Sequence, residues 1–268
     1  MKACFIPPLG CETRMTKGAA VMALAQLITP ASDKTKRNEY TTMVKLEHRR
    51  KRFILMDNGA NEGVQLDYDA LMERASYILA DEMVLPDVLG NSHDTFVATM
   101  DFLQKTTRFT DHCQYQAVVQ GTNQDQLKGL IGRFAQSPRI TTLGLPRLLL
   151  GQPKLCTTIR IDMANWIKEE YGDRFQIHFL GASSLWVKEP YYAARYASHV
   201  RSIDTSLPYN YALAGALLTD TTRRIDRASD YFTRSHSGDH LECVNTNEEI
   251  YSAWCRAVTP SPTVKSVR

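Results

Sequence analysis

The sequence lacks the features of secreted, membrane and disulfide-stabilised proteins. Its six cysteines are scattered and none forms a Cys-x-x-Cys pair, which is typical of a reducing cytosol rather than a disulfide framework. Met1-Lys2 is not followed by the apolar segment of a signal peptide, and the longest apolar run, Ala19–Ile28, is about half of a membrane span. We therefore expect a soluble cytoplasmic protein with no membrane partner.

Internal repeats, low-complexity tracts and linker-like stretches are also missing from the 268 residues. We therefore expect one domain over residues 1–268, with residues 259–268 as a frayed tail. The net charge is only +3, which is compatible with a nucleic-acid partner but does not identify one. The hydrophobic fraction of 43% is enough for a sizeable core.

One stretch combines a buried strand with an acid. Phe53-Ile54-Leu55-Met56 is a continuous apolar run, which predicts a strand buried on both faces, and Asp57-Asn58-Gly59 follows it as an acid and a turn signal. In α/β barrels, catalytic residues lie at the carboxyl ends of the strands, so a carboxylate at this position is a candidate catalytic group. The alternative is that Asp57 only caps the next loop.

The same pattern of a short apolar run ending at a loop recurs along the chain, and most of these runs are followed by a helical pattern. This alternation predicts an α/β fold, a (β/α)₈ TIM barrel. We predict a helix over Ala19–Ile28 and a last helix over Glu248–Val258, and we expect the eighth strand between Ala212 and Phe232. The seven predicted strands are Cys4–Ile6, Phe53–Met56, Met83–Leu85, Ala117–Val119, Ile140–Leu143, Ile177–Leu180 and Ser202–Ile203.

Six residues fall where predicted strands stop and would surround one pocket: Asp57, Asp87, Gln120, Gly144, Gly181 and Asp204. Three carboxylates suit a ligand rich in N–H donors, such as guanine, or a cationic oxocarbenium transition state. The alternatives are ordinary turn-forming residues or a site for a hard cation such as Mg²⁺. No histidine follows a predicted strand, which argues against a zinc hydrolase barrel.

Taken in order, these residues resemble the motifs of the tRNA-guanine transglycosylases, and most closely the short phage branch that places 7-deazaguanine bases in DNA. The resemblance covers about residues 50–210. The family's Asp-Ser-Gly signature and its guanine-reading Asp resemble Asp57-Asn58-Gly59 and Asp87. Its Val-Gln-Gly, Gly-Leu, Leu-Met-Gly and nucleophile-strand elements resemble Val119-Gln120-Gly121, Gly144-Leu145, Phe179-Leu180-Gly181 and Ile203-Asp204-Thr205-Ser206-Leu207-Pro208.

The resemblance implies exchange of guanine in DNA for a 7-deazaguanine base, such as the 7-cyano form, through a covalent glycosyl-enzyme. It implies Asp204 as the nucleophile, Asp57 as the general acid and base, and no cofactor for the chemistry. The same chemistry on tRNA and a metal-dependent barrel hydrolase are the alternatives. The substrate-binding residues that it implies are Asp87, Asn58, Gly59, Gln120, Gly121, Gly144, Leu145, Leu180 and Gly181.

The sequence departs from the family at two places. Asn61 stands where family members carry an aromatic residue that stacks on the base. The family's zinc site, three cysteines and a histidine, is replaced by His236, His240, Cys243 and Cys255 with altered spacing. These four could form a structural zinc site, or they are surface histidines and ordinary cysteines. The oligomeric state is left open, with a homodimer among the alternatives.

A basic run, Arg49, Arg50, Lys51 and Arg52, ends a polar segment over residues 31–52 that has no clear core pattern. Its functional interpretation is an arm that contacts DNA phosphates, and its alternative is a solvated loop. Because the run precedes the Asp57 strand, it lies at the amino end of the barrel unless the segment folds back.

Overall fold

Eight parallel strands form a closed barrel in the computed structural model, with each strand paired to the next and the last paired to the first. The structure describes residues 1–9, 20–30, 39–64, 66–106, 113–151, 155–182, 185, 187–220, 224–229, 231–232 and 241–258. The strands are β1 (Lys2–Phe5), β2 (Ala20–Leu24), β3 (Ile54–Asp57), β4 (Glu82–Val84), β5 (Gln114–Val118), β6 (Ile140–Pro146), β7 (Gln176–Leu180) and β8 (Ser202–Thr205). The predicted (β/α)₈ barrel is confirmed.

Helices surround the barrel and pack their apolar faces on it. In the described residues they are α1 (Glu39–Arg49), α2 (Tyr68–Ile78), α3 (Ser92–Lys105), α4 (Gln124–Phe134), α5 (Cys156–Tyr171), α6 (Glu189–Tyr196), α7 (Leu207–Leu213) and α8 (Leu241–Trp254). None of these helices is long and apolar enough to cross a membrane. The side chain of Asn123 caps the amino end of α4, and that of Asn91 caps the amino end of α3.

The core has two layers because strand side chains alternate between the two faces of the sheet. The larger cluster lies between the strands and the helices and includes Ile54 and Met56 of β3. The smaller cluster lies in the barrel interior. Its members are Cys4, Ile6, Ala20, Met22, Leu55, Val84 and Val118. This alternation decides which residues of each strand face the axis of the barrel.

The strand that the sequence analysis did not identify is β2, and it lies where the sequence predicts a helix. The prediction of a helix over Ala19–Ile28 and the prediction of a strand between Ala212 and Phe232 are both wrong. The described part of residues 212–232 contains the end of α7 and turns. All five residues of β2 are buried, so the segment shows no alternation of apolar and polar positions. A run that is buried on both faces cannot be distinguished from a buried helix by its period.

The polar segment before β3 contains a helix, where we expected no core pattern. Helix α1 buries Tyr40, Met43 and Val44, and the backbone N–H of Leu24 donates to the Tyr40 hydroxyl at 3.0 Å. The buried carboxylate of Glu47 pairs with two arginines of the basic run, Arg50 and Arg52. Because α1 leads into the amino end of β3, the basic run lies at the amino end of the barrel.

Candidate active site

The carboxyl ends of the strands surround a pocket of about 670 Å³, within the 300–1,000 Å³ of small-ligand sites. Aliphatic side chains, among them Met22, Val84 and Val118, line it together with polar ones. The predicted site residues that line it are Asp57, Asn58, Asp87, Gln120, Leu180, Gly181 and Asp204. No aromatic residue lines the pocket within the described part of the chain, and Asn61 lies on its wall.

Asp57 ends β3 and lies in an environment that favours its neutral form. Burial raises the pKa of Asp57 from 3.8 to about 7, with further contributions from the charges of Glu62, Asp204 and Asp87. The Gly59 N–H, 3.4 Å from Oδ2, opposes this only weakly. Asp57 can therefore both give and take a proton near neutral pH, as a general acid and base must.

The turn after Asp57 positions the next carboxylate. Asn58 is buried, and its side-chain amide donates to the Leu85 carbonyl and to Asp87 Oδ1, both at 2.7 Å. Gly59 makes this turn with φ +82°, and a Cβ there would lie 2.9 Å from Gln26 Oε1. Both N–H bonds of the Asn58 amide are thus used within the protein, so Asn58 orients Asp87 and Gly59 shapes the turn.

Asp87 is held by one amide on each oxygen. In addition to Asn58 on Oδ1, Gln120 Nε2 donates to Oδ2 at 2.6 Å, and Gln120 Oε1 accepts from the Gly90 N–H at 3.0 Å. Burial raises the pKa of Asp87, and the two amides oppose this shift. Each carboxylate oxygen has room for a second hydrogen bond, so Asp87 can still accept two donors from a ligand.

Asp204 lies in β8 with only 3% of its surface exposed. Its Oδ1 accepts from the Gly181 backbone N–H at 2.7 Å and lies 3.1 Å from His178 Nε2. Gly181 has a φ of +72° and follows β7, so the turn directs its N–H at the carboxylate. Oδ2 has no hydrogen-bond partner among the residues that the structure describes. Asp204 is therefore fixed through one oxygen only.

Gly144 and Leu145 do not line the pocket, because β6 continues through both to Pro146. The predicted strand end at Gly144 is wrong, and Pro146 and Arg147 lie at the pocket instead. A Cβ on Gly144 would come within 2.7 Å of Gln116 Nε2 and 2.6 Å of Leu180 Cδ1, so its role is close packing inside the barrel. Gly121 similarly packs against α4, and it does not line the pocket.

A buried arginine behind the site supports the ends of β6 and β7. Arg160 of α5 forms a fully buried ion pair with Glu189. Its guanidinium also donates to the carbonyls of Leu145, Leu180 and Gly181 at 3.3, 3.0 and 3.0 Å. It therefore fixes the turn that presents the Gly181 N–H. No pattern in the sequence predicts this role of Arg160. It becomes apparent only from the position of α5 next to these carbonyls.

Charged residues at the pocket that the strand-end pattern does not reveal are Glu62, Arg147, Asp226 and Arg227. Arg227 pairs with Glu62 at 3.3 Å, and the guanidinium of Arg147 makes no ion pair with a described residue. Glu62 lies five residues after Asp57, in a turn, so no periodic pattern marks it. Arg147 follows the true end of β6 and would have been found with the correct strand boundary.

The basic run and the candidate zinc ligands lie away from the pocket. Arg49, Arg50, Lys51 and Arg52 do not line it. Cys243 and Cys255 are at opposite ends of α8, about 18 Å apart along the axis, so both could not hold one ion. Burial raises the pKa of Cys255 to about 12, which disfavours a thiolate ligand. His236 and His240 lie outside the described residues, so only a zinc site that joins them to one of the two cysteines stays a prediction.

Comparisons with known proteins establish no family for this chain. No family model and no curated protein matches it. Among solved structures it is similar to RipC from Yersinia pestis, with 11% identity and a TM-score of 0.42 over 98% of this chain and 96% of that chain. A similarity this distant carries no argument about activity.

Proposed function

We propose that the protein is a transglycosylase that exchanges guanine in DNA for a 7-deazaguanine base such as 7-cyano-7-deazaguanine. The observation that carries the proposal is a pair of carboxylates with different environments at one pocket. Asp57 has a pKa of about 7, whereas Asp204 is held by N–H donors on one oxygen only. One acid that can donate a proton and one oriented carboxylate are the two groups that retaining glycosyl transfer needs.

In the proposed reaction, an Asp204 oxygen attacks C1′ of the target deoxyguanosine and the bond from C1′ to N9 breaks. Asp57 gives its proton to the departing guanine, which leaves a glycosyl ester on Asp204 and a carboxylate on Asp57. The incoming 7-deazaguanine loses its N9 proton to Asp57, and its N9 then attacks C1′. The ester breaks, Asp204 is regenerated, and both carboxylates return to their starting states.

Recognition of the base is assigned to Asp87. Guanine presents N1–H and an exocyclic NH₂ on one edge, and a carboxylate with one free acceptor position on each oxygen can accept from both. The amides of Asn58 and Gln120 fix its orientation. A 7-deazaguanine base keeps the same edge, so the pocket can accept either the leaving or the incoming base. The aliphatic lining, rather than an aromatic stack, would hold the two faces of the base.

Contact with the polymer is assigned to Arg147 and Arg227, because these cations lie at the pocket while the basic run lies at the other end of the barrel. A target base must leave the duplex stack or come from single-stranded DNA to enter such a pocket. Phosphates next to the extruded nucleotide would then pass these two guanidinium groups.

The contacts of the acids argue against the metal-dependent alternative. Both oxygens of Asp87 and one oxygen of Asp204 already face N–H donors. An N–H donor reduces the negative charge that its acceptor oxygen presents, so these oxygens attract a hard cation less strongly than unpaired carboxylate oxygens would. Hydrolysis by a metal-bound water is therefore less well supported than base exchange.

The test is incorporation of labelled guanine and of labelled 7-deazaguanine into DNA oligonucleotides and, separately, into tRNA. We expect exchange on DNA, and a loss of at least about 10³-fold in Asp204→Asn. Asp162→Asn, on the exposed side of α5, is the matched control and should exchange at the wild-type rate. Exchange on tRNA alone would refute the DNA assignment. Wild-type turnover by Asp204→Asn, or activity that EDTA abolishes, would refute the mechanism.

A further inference from the structure

A buried histidine contacts the proposed nucleophile. His178 is fully buried in β7, and Asp204 and Ser202 contact the two nitrogens of its ring. We propose that His178 is a positioning residue that holds Asp204 with Oδ2 toward the substrate, and that Arg201 sets its tautomer through Ser202. The proposal rests on the proposed function for its catalytic consequence, but the contacts and the tautomer do not depend on that function.

Hydrogen bonds connect Arg201, Ser202, His178 and Asp204 in one continuous network through the barrel interior. Arg201 Nε donates to Ser202 Oγ at 3.2 Å, Ser202 Oγ lies 2.8 Å from His178 Nδ1, and His178 Nε2 lies 3.1 Å from Asp204 Oδ1. The alternation of strand side chains explains this path, because His178 and Ser202 face the axis two residues before Leu180 and Asp204 and are paired in register.

The direction of each hydrogen bond in this network follows from the donors and acceptors at its two ends, Arg201 and Asp204. An arginine guanidinium can only donate, so Ser202 Oγ accepts from Arg201 and its own hydrogen is available for His178 Nδ1. An ionised carboxylate can only accept, so His178 Nε2 must carry a hydrogen toward Asp204. A neutral imidazole with Nδ1 as the acceptor and Nε2–H as the donor satisfies every group in the network.

The side chain of Arg201, where the hydrogen-bond network begins, is fixed in place by its own contacts. Its guanidinium contacts both oxygens of the fully buried Glu82, at 2.6 and 2.7 Å, and also Gln176 Oε1 at 2.9 Å. A permanent cation locked by a bidentate pair cannot rotate away from Ser202 without breaking that pair. The contacts at the amino end of the barrel thus favour the same His178 tautomer that the Asp204 carboxylate requires at the carboxyl end.

The consequence for catalysis is a choice between the two oxygens of Asp204. Oδ1 faces His178 Nε2 and the Gly181 N–H, whereas no described residue hydrogen-bonds Oδ2. Two donors on Oδ1 fix the plane of the carboxylate, so Oδ2 is the oxygen that forms the bond to C1′. Without His178 the Gly181 contact remains as a single anchor, about which the carboxylate can turn away from C1′.

The first test compares variants of His178 in single-turnover base exchange. His178→Leu removes the donor, and we expect the rate of the chemical step to fall by about 10–100-fold, with the DNA concentration that gives half of the maximal rate unchanged within about twofold. His178→Gln keeps an N–H donor near the position of Nε2 and should recover most of the rate. Leu55→Met is the control, since Leu55 is a buried apolar residue of the barrel interior whose side chain takes no part in these hydrogen bonds. It should keep the wild-type rate.

A merely structural role for His178 would give a different pattern. His178→Leu and His178→Gln would then lose thermal stability and activity in parallel, with no rescue of the rate by glutamine, and this outcome would overturn the proposal. Equal rates in wild-type protein and a folded His178→Leu would do so as well.

The second test needs no activity. Proton–nitrogen NMR of the ¹⁵N-labelled imidazoles, with His178 assigned from the signal that is missing in His178→Gln, distinguishes the two neutral tautomers. We expect the Nε2–H form in wild type and also in Asp204→Asn, where Ser202 still donates to Nδ1, and a mixture of tautomers when Ser202→Ala is added to Asp204→Asn. An Nδ1–H form in wild type would overturn the proposal. Absence of base exchange by wild-type protein would refute the proposed function instead, and the NMR result would still decide the tautomer.

Discussion

At the amino end of the barrel the buried Glu82 carboxylate is paired through both oxygens with Arg201, whereas at the carboxyl end Asp57, Asp87 and Asp204 form no ion pair with a described arginine or lysine. Two further buried acids follow the pattern of Glu82, because Glu47 pairs with Arg50 and Arg52, and Glu189 pairs with Arg160. Asp57, Asp87 and Asp204 instead face amides, backbone N–H groups and a histidine. Glu62 and Asp226, which also line the pocket, are paired with arginines.

This difference separates acids that hold the barrel together from acids that are available for chemistry. A permanent cation keeps its partner ionised and fixed, which suits a structural ion pair. Without such a cation, burial and neighbouring carboxylates raise the pKa of Asp57 to about 7, and burial also raises the pKa of Asp87. Environments of this kind are concentrated at functional sites.

The largest expected effect is at the amino end. Arg201→Met leaves the Glu82 charge buried without its main partner, so we expect the free energy of unfolding to fall by about 3–5 kcal/mol. Arg224→Met is the control, since Arg224 pairs with Asp226 at the surface, where such a pair contributes less than about 1 kcal/mol. Urea denaturation of the two variants and wild type measures both. Equal, small losses would mean that the Glu82 pair has no special structural role.

The second prediction is that Asp57→Asn loses base exchange and gains stability at alkaline pH. Because the folded state holds the Asp57 proton more tightly than the unfolded chain, the wild-type protein loses stability as pH rises from about 4 to about 7. Asparagine does not titrate, so the variant should be more stable by about 1–3 kcal/mol at pH 8 and by much less at pH 4. Denaturation curves at both pH values measure the difference, and an equal offset at both would contradict the assignment.

The third prediction compares cations at the two ends. Arg147→Gln with Arg227→Gln should weaken binding of single-stranded DNA and reduce the slope of log K against log salt by about 0.7 for each phosphate that the protein no longer binds. Arg49→Gln with Lys51→Gln, two exposed residues of the basic run, should leave the slope unchanged. Binding titrations at several salt concentrations measure both. The reverse result would place the DNA at the amino end, as the functional interpretation of the basic run predicts.

The smallest expected effect concerns the charge next to Asp57. Glu62 is the largest charge contribution to the raised pKa of Asp57, so Glu62→Gln should move the alkaline limb of the pH–rate profile to lower pH by roughly half a unit. The maximal rate should change little, because Glu62 has no role in bond making. Profiles of kcat for both proteins provide the comparison, and a shift to higher pH would show that the electrostatic explanation of the Asp57 pKa is wrong.

The fold and the acids could be predicted because each carries a local signal. An apolar run followed by Asp57 or Asp204 identifies a strand and its carboxyl end, and the closure of the barrel brings such ends together. The failures arise where local signals are ambiguous. The β2 run is apolar throughout, so its period is uninformative, and β6 continues for two residues beyond Gly144 because Leu145 still packs against the helices.

The remaining features depend on contacts between elements that are distant in sequence. Arg160 acts on the carbonyls of two strands, and His178 acquires its role only when β7 and β8 are paired in register. The pKa of Asp57 likewise depends on burial and on three neighbouring carboxylates, none of which a linear pattern quantifies. Because side chains alternate along a strand, the position of His178 two residues before Leu180 predicts that it faces the barrel interior. The same pattern does not predict that it lies next to Asp204.

The most direct test of the central claim is to trap the glycosyl ester. Wild-type protein is mixed with a guanine-containing DNA oligonucleotide, denatured rapidly in acid, and digested for mass spectrometry. We expect a peptide that carries the oligonucleotide as an abasic sugar on Asp204, absent from Asp204→Asn and removed when a 7-deazaguanine base is added before quenching. Exchange of the base with no adduct at any quench time, or an adduct on another residue, would contradict the assignment of Asp204 as the nucleophile.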